Sequence, residues 1–391
     1  MDNGYLNPPQ VIVNPGAEYA PETRAFQGIS SLACGRDGRL WAVWYGGITP
    51  DEDHNNYVVL AVSTDRGHTW SREKLVIDPD GPVRAFDPEI WLAPDGALWL
   101  FWAQGVDKPS KIGPSGVWAM TAREADGPDA AWSTPRRLCD GVMMCKPIVL
   151  SGGDWALPVS FWARREAGSA AIVVSGDQGR SWSERGAVDV PYEDRDHDEH
   201  MVFERLDGSL RTWVRTKYGI GESISTDRGA TWSELTPSEL PHVKSRFFIR
   251  RLASGNLLLV RHDPANGDFA DGTSKGTRSH LKAYVSDDDG ASWNGGLLLD
   301  PREGVSYPDG DQADDGTIYV TYDFDRKGAR EILMAAFAEE DARRGGIATV
   351  PVRFNVLINK AGPSTRPFRV LPEDIPNEGI RFVDHQKHGR S

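Results

Sequence analysis

The 391-residue chain reads as an all-β protein, a six-bladed β-propeller with four-stranded antiparallel blades. Three observations predict this: a turn motif that recurs, a second type of hairpin turn that recurs beside it, and a composition with 41 Gly and 14 Trp. Glycine supplies tight turns, and tryptophan supplies large packing anchors.

The first motif is S-x-D-x-G-x-[ST]-W. It stands at Ser63–Trp70 (STDRGHTW), Ser175–Trp182 (SGDQGRSW), Ser225–Trp232 (STDRGATW) and Ser286–Trp293 (SDDDGASW). The starts lie 112, 50 and 61 residues apart. The first interval holds a decayed copy, Ala125-Asp126-Gly127 to Trp132-Ser133, so the chain contains five units of roughly 50 to 60 residues. Apolar or alternating runs precede the motif, as in Tyr57–Val62 and Leu281–Val285. The motif itself is expected to be structural: Asp accepts turn amides, Gly takes the special backbone angle, and Trp packs between blades.

The second turn is Asp-Gly followed by an apolar run, at Asp37-Gly38, Asp95-Gly96, Asp207-Gly208 and Asp315-Gly316. Such a pair between β-rich runs signals a hairpin. Two hairpins per unit give four strands, and the unit headed by Asp315 brings the count to six blades. The strand near Gln10–Val13 is expected to close the ring with C-terminal strands. One helical stretch is expected, Ala335–Arg344. A single domain is expected over 1–391, with a loose polar tail from about 364 to 391.

Composition excludes several functions. With 44 Lys+Arg against 57 Asp+Glu the net charge is −13, so no nucleic-acid or membrane partner is expected. Three cysteines (Cys34, Cys139, Cys145) give neither a disulfide framework nor zinc-ligand spacing. The N-terminus MDNGYLNPPQ has no signal-peptide pattern, and no apolar run approaches membrane-spanning length; a cytoplasmic protein, or a secreted one with its signal removed, is expected.

The four motifs resemble the Asp-boxes of the sialidase (neuraminidase) superfamily, whose domains are six-bladed propellers. The resemblance covers about residues 20 to 340 and extends to site positions. Val305-Ser306-Tyr307-Pro308, followed by a D-G turn and a strand ending in Tyr322-Asp323, matches the segment of the family's Tyr nucleophile, with Asp323 where the family has Glu. Asp198-Glu199 through Asp207-Gly208 to Arg215 resembles the segment that carries the nucleophile's Glu partner and a carboxylate-binding Arg. Arg278 stands eight residues before Ser286, as a further family Arg does.

The resemblance thus implies Tyr307 as nucleophile, Glu199 as its base, and Arg215 and Arg278 as ligands of a substrate carboxylate. The family's acid/base Asp falls at Asp51, with Asp53 close behind. At the family's first arginine this chain has Gly28; Arg24 and Arg84 are the candidates to reach that space. Asp87-Pro88 resembles the family's Asp-Pro after the first blade, so Asp87 is also a substrate-binding candidate, as is His280.

The chemistry is coherent. Sialidases depart from the two-carboxylate scheme of most glycosidases by using Tyr. A neutral Tyr approaches an anomeric carbon beside a carboxylate without charge repulsion, and needs a base to activate it. Arginines bind the substrate carboxylate through bidentate hydrogen bonds. The expected function is therefore an exo-acting retaining glycoside hydrolase on a terminal acidic, sialic-acid-like sugar, with no metal or cofactor and a small carboxylate-bearing glycan as partner. Two alternatives stay open. A polysaccharide lyase, or a glycosidase of uronic-acid- or rhamnose-containing glycans, would use the histidines and acids at His197, Asp198, Glu199, His200, His262, Asp263 and His280, a set that would also suit a metal. A non-catalytic carbohydrate-binding propeller would bind without turnover.

Overall fold

The structure is a computed structural model that describes residues 4–106, 114–164, 167–349 and 351–362. Six antiparallel sheets follow one another along the chain, each of four strands except for a fifth strand in blades 1 and 3. The inner strands are Phe26–Cys34 in blade 1, Val83–Leu92 in blade 2, Arg195–Glu204 in blade 4, Phe248–Arg251 in blade 5 and Val305–Gln312 in blade 6; blade 3 supplies two short pieces, Val142–Met143 and Ile148–Val149. Inner strands of blades 1, 2 and 6 and of blades 4, 5 and 6 touch in turn, which sets them around a common axis.

The Asp-boxes behave as their residue types dictate. Ser63 Oγ donates to Asp65 Oδ1 (2.7 Å) and accepts from Gly67 N (2.8 Å), while Thr69 donates its N–H and hydroxyl to the Asp65 carboxylate at 2.9 and 2.6 Å. Asp177, Asp227 and Asp288 repeat these bonds. The motif Trp reaches the preceding blade: Trp182 meets Trp99 edge-on at 6.3 Å, and Trp293 meets Trp213 at 5.9 Å. Even the decayed copy keeps this anchor, with Trp132 edge-on to Trp41 at 6.5 Å.

Two expectations need correction. The N-terminal strand Gln10–Val13 pairs with Leu75–Asp78 and becomes the outer edge of blade 1; among the described residues it pairs with no C-terminal strand. The ring closes instead through carboxylates of blade 6. Asp309 accepts Leu32 N (3.0 Å) and Ser31 Oγ (2.7 Å), Asp311 accepts Cys34 N (3.1 Å), and Asp323 accepts Ile29 N (2.8 Å). The second correction concerns the helix, which spans only Glu339–Arg344. Glu331–Phe337 is a strand whose Ile332 to Phe337 are all buried, and burial on both faces produces the continuous apolar run that mimics a helix. The expected tail at 364–391 lies outside the described residues.

The motif turns and D-G turns lie at one end of the blades. The second-to-third-strand connections lie at the other, where those of blades 1 and 6 carry Glu52 and Arg326.

Candidate active site

Four inner strands break register at the same level: between Gly28 and Ser31, Phe86 and Glu89, Arg195 and His200, and Ser306 and Asp309. Bulges re-aim side chains, and they collect at functional sites. At these breaks Ile29, Asp87, His197, Asp198 and Tyr307 hold positive φ (46° to 68°), a costly backbone for residues with a Cβ.

Tyr307 is 6% exposed, and its hydroxyl donates to Glu199 Oε1 at 2.7 Å. Arg215 Nη1 donates to both, at 2.6 Å to Glu199 and 2.9 Å to Tyr307. Its Nη2 pairs with Asp196 at 2.6 Å. Burial first, and then the Glu199 charge, push the Tyr307 phenol up to about 12, although Arg215, Arg278 and Arg326 act against this. A phenol so raised needs the adjacent base to become a nucleophile.

Three more guanidinium groups ring the Tyr307 side chain, with Arg326, Arg246 and Arg278 Cζ at 4.4, 5.2 and 5.6 Å from the ring centroid. Arg246 lies beneath. It pairs with Glu89 at 3.0 Å and donates to the carbonyls of Tyr307 and Pro308 at 3.3 Å. Lys146 completes this layer, donating to Asp309 Oδ2 (2.6 Å), Ser31 Oγ (2.9 Å) and Ile90 O (2.8 Å). This buried layer supports the floor of the site.

Arg278 differs from its neighbours. It donates to Lys244 O at 2.8 Å, but among the described residues it has no carboxylate partner. Burial, Arg215 and Arg326 lower its pKa, as befits a cation placed among cations. An anionic ligand would relieve that repulsion.

The space beside Gly28 is filled by Arg326, from the loop between Ile318–Phe324 and Glu331–Phe337. Arg326 Nε meets Asp323 at 3.2 Å, Nη2 donates to Ser306 Oγ at 3.0 Å, and Nη1 approaches Glu52 at 3.6 Å. Arg24, a candidate for that space, is elsewhere: fully buried, paired with Glu73, and bonded to Gln27 (2.8 Å) and the Tyr19 carbonyl (3.2 Å). Glu73 and Gln27 surround its guanidinium, so it serves blade 1 as a structural cation.

The loop acids divide. Asp51 is 59% exposed and pairs with Lys327 at 2.8 Å, while Asp53 accepts from Thr49 and Asn55 at 2.8 Å within its own loop. Glu52, between them, turns toward Arg84 (3.8 Å) and Arg326 (3.6 Å). Arg84 is 2% exposed and lies 3.8 Å from the Phe86 ring centroid, and that ring stacks on Trp162 at 6.2 Å. Asp87 is 3% exposed, and among the described residues its Oδ1 has no hydrogen-bond partner.

The histidines make separate contacts around the site. His200 and His262 are buried with Nε2 against the carbonyls of Ala171 (2.8 Å) and Val305 (2.9 Å). Burial lowers both pKa values, that of His262 to about 3. His197 sits on the rim edge-on to Trp162, and His280 contacts Ser279 at 3.0 Å. Among the described residues no group of three or more His, Cys, Asp or Glu is disposed to hold a metal ion. No helix among them is long and apolar enough to cross a membrane.

The structure thus brings together Tyr307, Glu199, Arg215, Arg278, Arg84 and Asp87. Sequence reasoning missed Arg326, Glu52 and Arg246. The one available signal was the arginine position left empty at Gly28, which says that a replacement is needed and not where it comes from.

Fold and repeats define a six-bladed propeller with Asp-box turns. The chain belongs to the BNR repeat-like family, whose domain model matches residues 38–320. Among solved structures it is similar to a leech intramolecular trans-sialidase complexed with 2,7-anhydro-Neu5Ac (14% identity, 86% of this chain and 71% of that one, TM-score 0.66). It is also similar to the Ruminococcus gnavus intramolecular trans-sialidase in complex with oseltamivir carboxylate (15%, 85% and 98%, 0.64) and to the NanB sialidase of Streptococcus pneumoniae (13%, 86% and 71%, 0.64). No curated protein matches the sequence.

Proposed function

We propose that this protein is an exo-acting glycoside hydrolase that removes a terminal acidic sugar, sialic-acid-like in its carboxylate, with retention. The observation that carries this reading is the 2.7 Å contact from the Tyr307 hydroxyl to Glu199, set beside Arg278, which has no carboxylate partner among the described residues. Glu199 takes the phenolic proton as Tyr307 Oη attacks the anomeric carbon. Arg278 and Arg326, with Arg215, receive the substrate carboxylate and hold the ring over Tyr307. Arg326 stands in for the arginine replaced by Gly28.

The test is hydrolysis of fluorogenic α-sialosides and uronic-acid glycosides. Turnover of an acidic glycoside is expected, falling at least about 10³-fold in Tyr307→Phe with the fold intact. Full activity in both Tyr307→Phe and Glu199→Ala overturns the reading. An unsaturated product absorbing in the ultraviolet would establish a lyase instead.

A further inference from the structure

We propose that Asp87 is the pocket's proton donor, acting on the leaving glycosidic oxygen; this rests on the reading that Tyr307 is the nucleophile. Phe86-Asp87-Pro88-Glu89 in blade 2 and Ser306-Tyr307-Pro308-Asp309 in blade 6 occupy the same bulge of their inner strands. Asp87 and Tyr307 both precede proline and both hold left-handed backbone, at φ 46° and 54°. Both are nearly buried, at 3% and 6% exposure. The residue two positions on enters the same buried layer from each blade, Glu89 to Arg246 and Asp309 to Lys146. Asp87 is thus the blade-2 counterpart of Tyr307, and blade 1 separates them in the ring. Nucleophile and acid then reach a sugar held between them from two blades, on either side of the scissile bond.

Its surroundings suit an acid. Among the described residues Asp87 Oδ1 has no hydrogen-bond partner, so none of them donates to it. The groups that act on it are Arg84 and Arg246, which favour the carboxylate, and Glu52 and Glu199, which oppose it; the Tyr45 phenol also lies within range. Burial is the largest influence and leads to a pKa of about 8. The competing carboxylates are engaged elsewhere: Asp51 with Lys327, Asp53 inside its loop, Glu52 with two arginines.

The proton balance closes. Asp87 gives its proton to the glycosidic oxygen as that C–O bond breaks and Tyr307 Oη bonds the anomeric carbon, its own proton passing to Glu199. In the second half Asp87, now a carboxylate, takes a proton from the attacking water. The bond to Tyr307 breaks, and Glu199 returns the phenolic proton.

The experiment compares two glycosides of one acidic sugar, with a 4-methylumbelliferyl and with an alkyl leaving group, on wild type, Asp87→Ala, Asp87→Asn, Glu52→Gln and Tyr307→Phe. An acid missing from catalysis costs about 10²–10⁴-fold where the leaving group needs protonation. Both Asp87 variants are expected to lose about that much on the alkyl glycoside and less than about tenfold on the aryl one. Azide is expected to accelerate aryl-glycoside turnover by Asp87→Ala. The alkaline limb of kcat/KM near pH 8 is expected in wild type and absent in Asp87→Ala. Equal losses on both substrates with the limb retained, or leaving-group dependence appearing in Glu52→Gln instead, overturn this inference while an inactive Tyr307→Phe leaves the nucleophile standing. A wild type inert on every acidic glycoside overturns both.

Discussion

A Cβ on Gly28 would lie 2.3 Å from Arg326 Cδ and 2.5 Å from its Cγ, so the missing side chain on one blade makes room for a guanidinium from another. The two positions are a reciprocal pair. Arg326 is held there by Asp323, Ser306 and Glu52 and packs on the Tyr307 ring. Gly28→Ala should therefore act through Arg326. A charge-assisted hydrogen bond contributes about 1.5–3 kcal/mol, so each of Gly28→Ala and Arg326→Ala should lower kcat/KM on acidic glycosides by at least about tenfold. Gly28→Ala should add little in an Arg326→Ala background. Independent, multiplicative losses in a double-mutant cycle would contradict the pairing.

Arg215 sits between two carboxylates, Glu199 and Asp196, each at 2.6 Å. Asp196→Asn should free its Nη2 and loosen the Arg215 fork without touching the Tyr307–Glu199 contact. We expect KM to change several-fold while kcat remains within about threefold, since the group acts on substrate placement in both ground and transition states. Steady-state kinetics check it.

The layer beneath the site should govern stability. Lys146 and Asp309 are 3% and 0% exposed and 2.6 Å apart. Removing one partner of a buried pair costs about 3–5 kcal/mol, because the other charge is left uncompensated. Lys146→Ala should show a loss of that order in denaturant unfolding, and Lys146→Met with Asp309→Leu should recover part of it.

The Asp-boxes predict acid sensitivity. Hydrogen bonds from the motif Thr or Ser lower the carboxyls of Asp227 and Asp288 to about 2, and those of Asp65 likewise to about 2 against a desolvation that raises it. Each folded pKa lies below the ordinary value of 3.8. Their stabilisation is therefore complete above about pH 4 and is lost as pH falls toward 2. Asp227→Ala should lower Tm at pH 7 and flatten the fall of Tm between pH 4 and 2. Because these turns stand at the end opposite the site, kcat/KM of the folded variant should not change.

Much of this molecule was legible in its residues, and the parts that were not share a cause. The blades were readable because each Asp-box carries its own hydrogen bonds within eight residues, and each D-G turn needs only its own glycine. Tyr307, Glu199, Arg215 and Arg278 were readable because each stands at a constant offset from such a local landmark. Arg326 was not, since its partner Gly28 lies about 300 residues away and is marked only by a side chain it lacks. Glu52 was not distinguished from Asp51 and Asp53, because adjacent loop acids differ only in the direction each points. The role of Gln10–Val13 was misjudged for a related reason: any short apolar strand satisfies an open sheet edge, and local sequence does not say which edge.

The sequence by itself determined the all-β propeller and the number of blades, and it singled out Tyr307 and Glu199 as candidates for nucleophile and base, since periodic turns and fixed offsets are short-range properties. Only the tertiary structure decided which cations surround Tyr307, that Arg24 is buried against Glu73 while Arg326 packs on the Tyr307 ring, and that Asp87 stands at the bulge equivalent to that of Tyr307, four blades earlier. Those facts depend on how six inner strands converge on one axis. Electrostatic and steric contacts across that axis join residues from both ends of the chain, and no local pattern records them.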